Sequence, residues 1–309
     1  MRIVVMGSGG TGGFFGAKLA RAGEDVTFVA RGEHLAKIRA EGLRVRSAVE
    51  GEWVVKSPAH ERLDGQPPAD VVLFCVKSFD TESAAEIVRP VVGPDTGVLS
   101  IQNGVDNEDK LARVLGAGHV LGGMAQVFAT IEGPGVIRHV TLGRIVFGEM
   151  DGRETARAQA FLAACRRAQI PSEISTDVTR TLWEKYAFLN AHAGATALTR
   201  CPVGAIRRLP EGRELYRRLL EEMVAIARAT GVRLADGYVE QSMKMVEAMA
   251  PGFASSLLFD LTQGKRIEVD SLHGHAVRLG ERHGVPTPTL FTVYAALLPH
   301  LNGPPPPAA

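Results

Sequence analysis

Short apolar runs alternate with amphipathic stretches along the first hundred residues. Residues 3–6, 26–29, 71–76 and 98–101 are continuous apolar runs of strand length. Residues 12–22, 34–40 and 81–89 carry helical spacing, and Pro90 stops the last of them. Residues 43–45 and 53–55 read as two short extra strands. Strands apolar on both faces, separated by helices, predict a parallel sheet covered on both sides. Near residue 119 the pattern changes to strand, turn, strand: 119–131, then Glu132-Gly133-Pro134-Gly135, then 136–147. That predicts an antiparallel hairpin at the sheet edge. A helix follows at 154–169, and 171–177 reads as a connector of small polar residues.

Beyond Asp177 the pattern is helical, over 178–197, 211–230, 236–249, 256–264, 268–283 and 287–301. Pro210, Gly231 and Gly284 act as breakers and caps. The fold class expected is α/β: a Rossmann-type doubly wound sheet, mostly parallel, followed by an all-helical domain. The boundaries expected are 1–176 and 177–309, with a proline-rich tail at 303–309.

Composition narrows the function classes. Of 309 residues 45% are hydrophobic, which excludes general disorder. The 35 basic and 34 acidic residues nearly cancel, so no overall charge draws the chain to nucleic acid or an anionic membrane. The longest apolar runs fall far short of a membrane span. Cys75, Cys165 and Cys201 form no C-x-x-C pair, which fits a reduced, cytoplasmic protein. No metal site is expected. His273 and His275 are two apart, hence on different helix faces, and neither Cys nor a second carboxylate completes a set around them and His283.

Glycine is the unusual component, 34 residues in all, several of them early. Gly7-Ser8-Gly9-Gly10-Thr11-Gly12 fits G-x-G-x-x-G between an N-terminal strand and a helix, the context dinucleotide binding requires. The first glycine permits the tight turn, the second lets backbone approach a pyrophosphate, and the third lets helix and strand pack. The tip of the second strand then selects the dinucleotide. An NAD site usually has an acid there for the ribose 2′-hydroxyl. Here the residue is Arg31, whose guanidinium suits a 2′-phosphate, so NADP is the expected cofactor. Lys77 and Asn103 follow the next two strands, where open α/β sheets bind ligands. Either residue also fits a plain strand-end or turn role.

Taken together, these segments resemble the ketopantoate reductase (2-dehydropantoate 2-reductase) family. The resemblance rests on the glycine loop with Arg31, Val76-Lys77-Ser78, Gln102-Asn103-Gly104 and Trp183-Glu184-Lys185. It continues through Thr196-Ala197-Leu198, Cys201-Pro202-Val203-Gly204 and the pair Ser256 and Glu268. It implies an NADPH-dependent reduction of a small 2-keto acid by a cytoplasmic enzyme, with a homodimer as the family expectation. It places the catalytic lysine on Lys185 and its acidic partner on Glu268. Lys77 falls at the cofactor, Asn103 near nicotinamide and substrate, Ser256 at the substrate, and a backbone contact to the cofactor near Ala129. A lysine of ordinary pKa, about 10.4, is protonated at neutral pH and supplies both charge and proton to a carbonyl being reduced.

Three positions depart from the family pattern. Family asparagines four and eight residues after the lysine are Leu189 and Ala193 here, and one after the Cys-Pro pair is Val203. Asn190 is the nearest substitute for a substrate contact, although it lies ~140° round a regular helix from Lys185. His192 is either a weak alternative acid or a core histidine. A polar substrate loses hydrogen-bond partners at such positions. Ketopantoate, another 2-keto acid or opine-like substrate with a more apolar body, and a non-catalytic NADP sensor therefore remain as readings.

Overall fold

The computed structural model of the chain describes residues 1–305, so the end of the proline-rich tail, 306–309, lies outside the described residues. Two compact units divide the chain, Met1–Leu182 and Trp183–Ala309, and the division falls inside a long helix.

The first unit runs β1 (Arg2–Met6), α1 (Gly10–Arg21), β2 (Asp25–Val29), α2 (Gly32–Glu41), β3 (Leu43–Ser47), β4 (Gly51–Val55), β5 (Ala59–His60) and β6 (Val71–Phe74). It continues with α3 (Thr81–Val88), β7 (Gly97–Ser100), α4 (Asn107–Leu115), β8 (Val120–Gly133), β9 (Val136–Glu149), α5 (Ala156–Arg167) and β10 (Ser172–Ile174). All four apolar runs became strands with buried residues on both faces. Ile3 pairs with Val26 on one side and Val71 on the other, and Val71 with Gly97, all in parallel. The order β5-β2-β1-β6-β7-β8 is doubly wound, and its direction reverses between β1 and β6. Phe14, Phe15, Phe147 and Phe161 fill one face of the sheet, and Val72, Phe74, Val88 and Leu111 the other. Each such side chain contributes about 1.5–3 kcal/mol of burial free energy.

The expected hairpin is present, antiparallel from Leu121 opposite Glu149 to Gly133 opposite Val136. It is not at the sheet edge as expected: β8 pairs in parallel with β7, and the β3–β4 ribbon extends the sheet beyond β9. β3 pairs in parallel with Val136–His139, so β4 forms that margin. The connector at 171–177 contains a strand as well: β10 pairs with Ile145–Phe147 of β9. Three residues are too few for a periodicity to show.

The second unit is helical, as expected. α6 (Val178–Thr199) leads into it, followed by α7 (Val203–Ile206), α8 (Pro210–Ala229), α9 (Tyr238–Ala248) and α10 (Ser256–Thr262). A π-helical turn at Asp270–Gly274 then opens α11 (His275–His283), and α12 (Pro288–Leu297) closes the unit. Tyr216, Leu219, Leu220, Met223, Ile226 and Ala227 form the buried stripe of α8, at helical spacing. From the same helix Glu222 accepts the Thr289 and Leu290 amides at 2.8 Å, capping α12 from a distance. Among the described residues no helix is long and apolar enough to cross a membrane.

Candidate active site

The glycine turn lies at the C-terminal end of β1. A Cβ at Gly7 (φ +94°) meets the Val76 amide at 2.9 Å, and one at Gly12 meets the Gly7 carbonyl oxygen at 2.2 Å. At Gly10 a Cβ falls 2.0 Å from the Ala129 carbonyl oxygen of β8. These three glycines are demanded by the protein itself. Gly9 differs. Its backbone is extended, and a Cβ there has no protein atom within 4 Å. Beside it α1 begins with no side-chain cap and no acidic residue in its first turn, with half-buried Thr11 at the second helical position. Open space beside Gly9 and uncapped amides fit the phosphates of a dinucleotide.

Ser8 takes a structural part. Its hydroxyl is buried and donates to the Val29 carbonyl at 2.6 Å, and its amide donates to the same carbonyl at 3.2 Å. His34, missed in the sequence, holds the same turn. Its Nδ1 accepts the Gly135 amide at 3.0 Å, so Nε2 carries the proton and donates to the Ser8 carbonyl at 2.8 Å. Burial lowers the His34 pKa, in keeping with the neutral ring this geometry requires.

Arg31, Lys77 and Asn103 follow the ends of β2, β6 and β7. Arg31 is exposed, and its guanidinium lies 3.5 Å from the Asp80 carboxylate. Lys77 and Asp80 bracket one 3₁₀ turn, closed by the Asp80 amide donating to the Lys77 carbonyl at 2.9 Å. A buried polar network lies behind these loops. Gln102 Nε2 donates to the Val76 carbonyl and to Thr81 Oγ1, both at 2.9 Å. Thr81 bonds Asn107 Oδ1 at 3.2 Å, and Asn107 Nδ2 reaches the Asn103 carbonyl at 2.8 Å. Glu108 lies beside this network, 4% exposed. Burial, with Asp106 and Asp109 adding to it, pushes its carboxyl up to about 7.

The second unit carries Lys185, Asn190, Ser256 and Glu268. Lys185 is half-buried on α6. Its neighbour Tyr186 donates to the Leu272 carbonyl at 2.6 Å, tying the π turn that follows Glu268 to α6. Glu268 is buried, and its carbonyl accepts the Leu272 amide at 3.0 Å. Ser255 caps α10 by accepting the Leu258 amide at 3.1 Å and bonds Thr196 of α6 at 2.7 Å. Ser256 is exposed at the first helical position. Capping therefore occupies Ser255, while Ser256 faces solvent.

Asn190 departs from the expected substrate contact. It is wholly buried, its Nδ2 donates to the Tyr186 carbonyl at 3.1 Å, and α6 continues past it. No bend or register shift turns it toward the Lys185 face, so it belongs to the core and not to a substrate contact. His192 is buried too. It is bonded to Tyr216 at 3.0 Å and stacked on Phe188 and Phe253, and burial lowers its pKa to about 4. Among the described residues no group of three His, Cys, Asp or Glu side chains is arranged to hold a metal ion.

Strand order and glycine turn define a Rossmann-type nucleotide-binding unit joined to a helical unit. The models of the PanE/ApbA ketopantoate reductase family match residues 3–152, and those of its C-terminal part residues 177–300. The chain belongs to the ketopantoate reductase family, a family of oxidoreductases. It is 34% identical to 2-dehydropantoate 2-reductase of Halobacterium salinarum, over 95% of this chain and 96% of that one. An uncharacterized oxidoreductase of Bacillus subtilis, YkpB, is 30% identical over 96% and 98% of the two chains. A PanE/ApbA family ketopantoate reductase from Ralstonia eutropha JMP134 superposes with a TM-score of 0.89 at 36% identity, covering 97% of this chain and 98% of that one.

Proposed function

We propose that the protein reduces a 2-keto acid to the 2-hydroxy acid with NADPH, and that ketopantoate is its substrate. The observation that carries this reading is the open face of Gly9 at an uncapped helix N-terminus, in a chain of a reductase family. When bound, the nicotinamide supplies the hydride. Gly7, Gly9, Gly10, Thr11 and Gly12 cradle the phosphates through backbone amides, and Ser8 holds the turn that presents them. Arg31 and Lys77 meet the remaining anionic groups, and Ala129 lines the turn. Asn103 orients the carboxamide and the keto group. Lys185 stabilises the growing negative charge on the keto oxygen and donates the proton. Glu268 holds Lys185 or a substrate hydroxyl, and Ser256 binds the substrate.

A second substrate reading has its own support. Two of the positions where the family has asparagine, Ala193 and Val203, are buried, and Leu189 is half-buried. An acid without a hydroxyl leaves no donor unmatched at such places. NADPH oxidation measured over a panel of 2-keto acids separates the two. Activity on ketopantoate that falls at least 100-fold in Lys185→Ala is expected. No activity on any 2-keto acid, or an unaffected Lys185→Ala variant, overturns the proposal. The resemblance also implies a cytoplasmic location and a homodimer, and light scattering on the purified protein tests the dimer.

A further inference from the structure

We infer that Asp80 sets the cofactor preference together with Arg31, an inference that rests on the proposed dinucleotide site. In the sheet β1 lies between β2 and β6. Arg31 follows β2 and Asp80 follows β6, so their ion pair at 3.5 Å spans the end of β1, where the glycine turn begins. The acid that the end of β2 lacks is thus supplied across the turn from another strand.

Two further observations free Asp80 for this part. It stands at the N-cap of α3, where an aspartate commonly accepts first-turn amides, yet its carboxylate makes no cap bond. Its backbone amide is already taken by the Lys77 carbonyl. The side chain is 31% exposed and that of Arg31 85%, so neither is locked by packing and both can turn to a ligand.

The chemistry separates the two cofactors. A 2′-phosphate is an acceptor of charge near −2: it takes hydrogen bonds from Arg31 and is repelled by Asp80. A 2′-hydroxyl carries a donor, and Asp80 supplies its acceptor. Arg31 alone therefore favours NADP, whereas the pair narrows the margin and admits NAD. Asp80 is a specificity-determining residue, and its carboxylate opposes the 2′-phosphate.

Calorimetric titration of the full chain with NADP⁺ and with NAD⁺ tests this without turnover. The ratio of the two Kd values is expected to shift toward NADP by about tenfold in Asp80→Asn, the size of one charge-assisted hydrogen bond. In Asp80→Glu it stays near that of the parent, because the acceptor is retained. In Arg31→Ala, NADP⁺ weakens and NAD⁺ does not. A ratio that moves less than about twofold in both Asp80→Asn and Asp80→Ser, in variants that melt like the parent, overturns the inference and leaves the dinucleotide site standing. Failure of the parent chain to bind either dinucleotide overturns the site and the inference together.

Discussion

Gln102 donates its side-chain amide to Thr81 Oγ1 at 2.9 Å, and this bond joins the loop after β7 to the start of α3. Its second bond, to the Val76 carbonyl, fixes the residue before Lys77. Gln102→Ala leaves a buried hydroxyl and a buried carbonyl short of a partner. A loss of about 1–3 kcal/mol of stability is expected by urea titration. The proposed cofactor and substrate loops lose their spacing, so KM is expected to rise for both ligands. An unchanged KM in a destabilised variant shows that the network serves the fold alone.

Gly9 and Gly10 separate ligand requirements from folding requirements. Gly9→Ala adds a methyl group to open space and is expected to keep the parent urea midpoint while losing at least tenfold in NADP⁺ affinity. Gly10→Ala forces a methyl onto the Ala129 carbonyl and is expected to lower the midpoint itself. Equal midpoints, or equal affinities, run against this division.

Stability is expected to depend on pH through opposed groups. Burial lowers His192 and His273 to about 4, so each binds a proton on unfolding between pH 4 and 6.5. Their contribution is complete above 6.5 and is lost as pH falls. Glu108, raised to about 7 from 4.5, releases a proton on unfolding, so its contribution is complete below 4.5 and lost as pH rises to 7. Near pH 5.5 the two histidines outnumber the one carboxyl, and stability rises with pH. Glu108→Gln is expected to steepen that rise by about 1.4 kcal/mol per pH unit and to gain most over the parent at pH 8. Urea titrations at pH 5, 6 and 8 give the slopes. Parallel slopes for variant and parent contradict the assignment.

Asn190→Leu tests the core placement of Asn190 directly. The buried Oδ1 has no partner among the described residues, so an apolar side chain of similar volume costs less than about 1.5 kcal/mol. Turnover and KM for the keto acid are expected to match the parent. A selective rise in KM restores Asn190 as a substrate contact.

Features set by local pattern were legible in the sequence. The apolar runs located the sheet, and Gly7-Ser8-Gly9 located the turn, because strand burial and backbone freedom are written residue by residue. The helical angle already set Asn190 apart from Lys185, and the unbroken α6 leaves it in the core. Partnerships made across the fold were not legible. His34 carries no motif, and its bonds join Ser8 to Gly135. Asp80 carries no motif either, and its pairing with Arg31 shows only once β2 and β6 stand on either side of β1. Glu222 acts on α12 through residues 67 and 68 positions away.

The contact between Gly10 and the Ala129 carbonyl has a consequence for biosynthesis. The glycine turn leaves the ribosome well before β8 and Gly135, and the His34–Gly135 bond alone closes a separation of 101 residues. A nascent chain that ends before the hairpin has the whole glycine motif but no surface to set it against. Closing such long loops is slow, so the earliest-made part of the nucleotide site is among the last to reach its final shape. Dinucleotide capture by ribosome-bound fragments of increasing length therefore marks the moment at which the whole first unit closes.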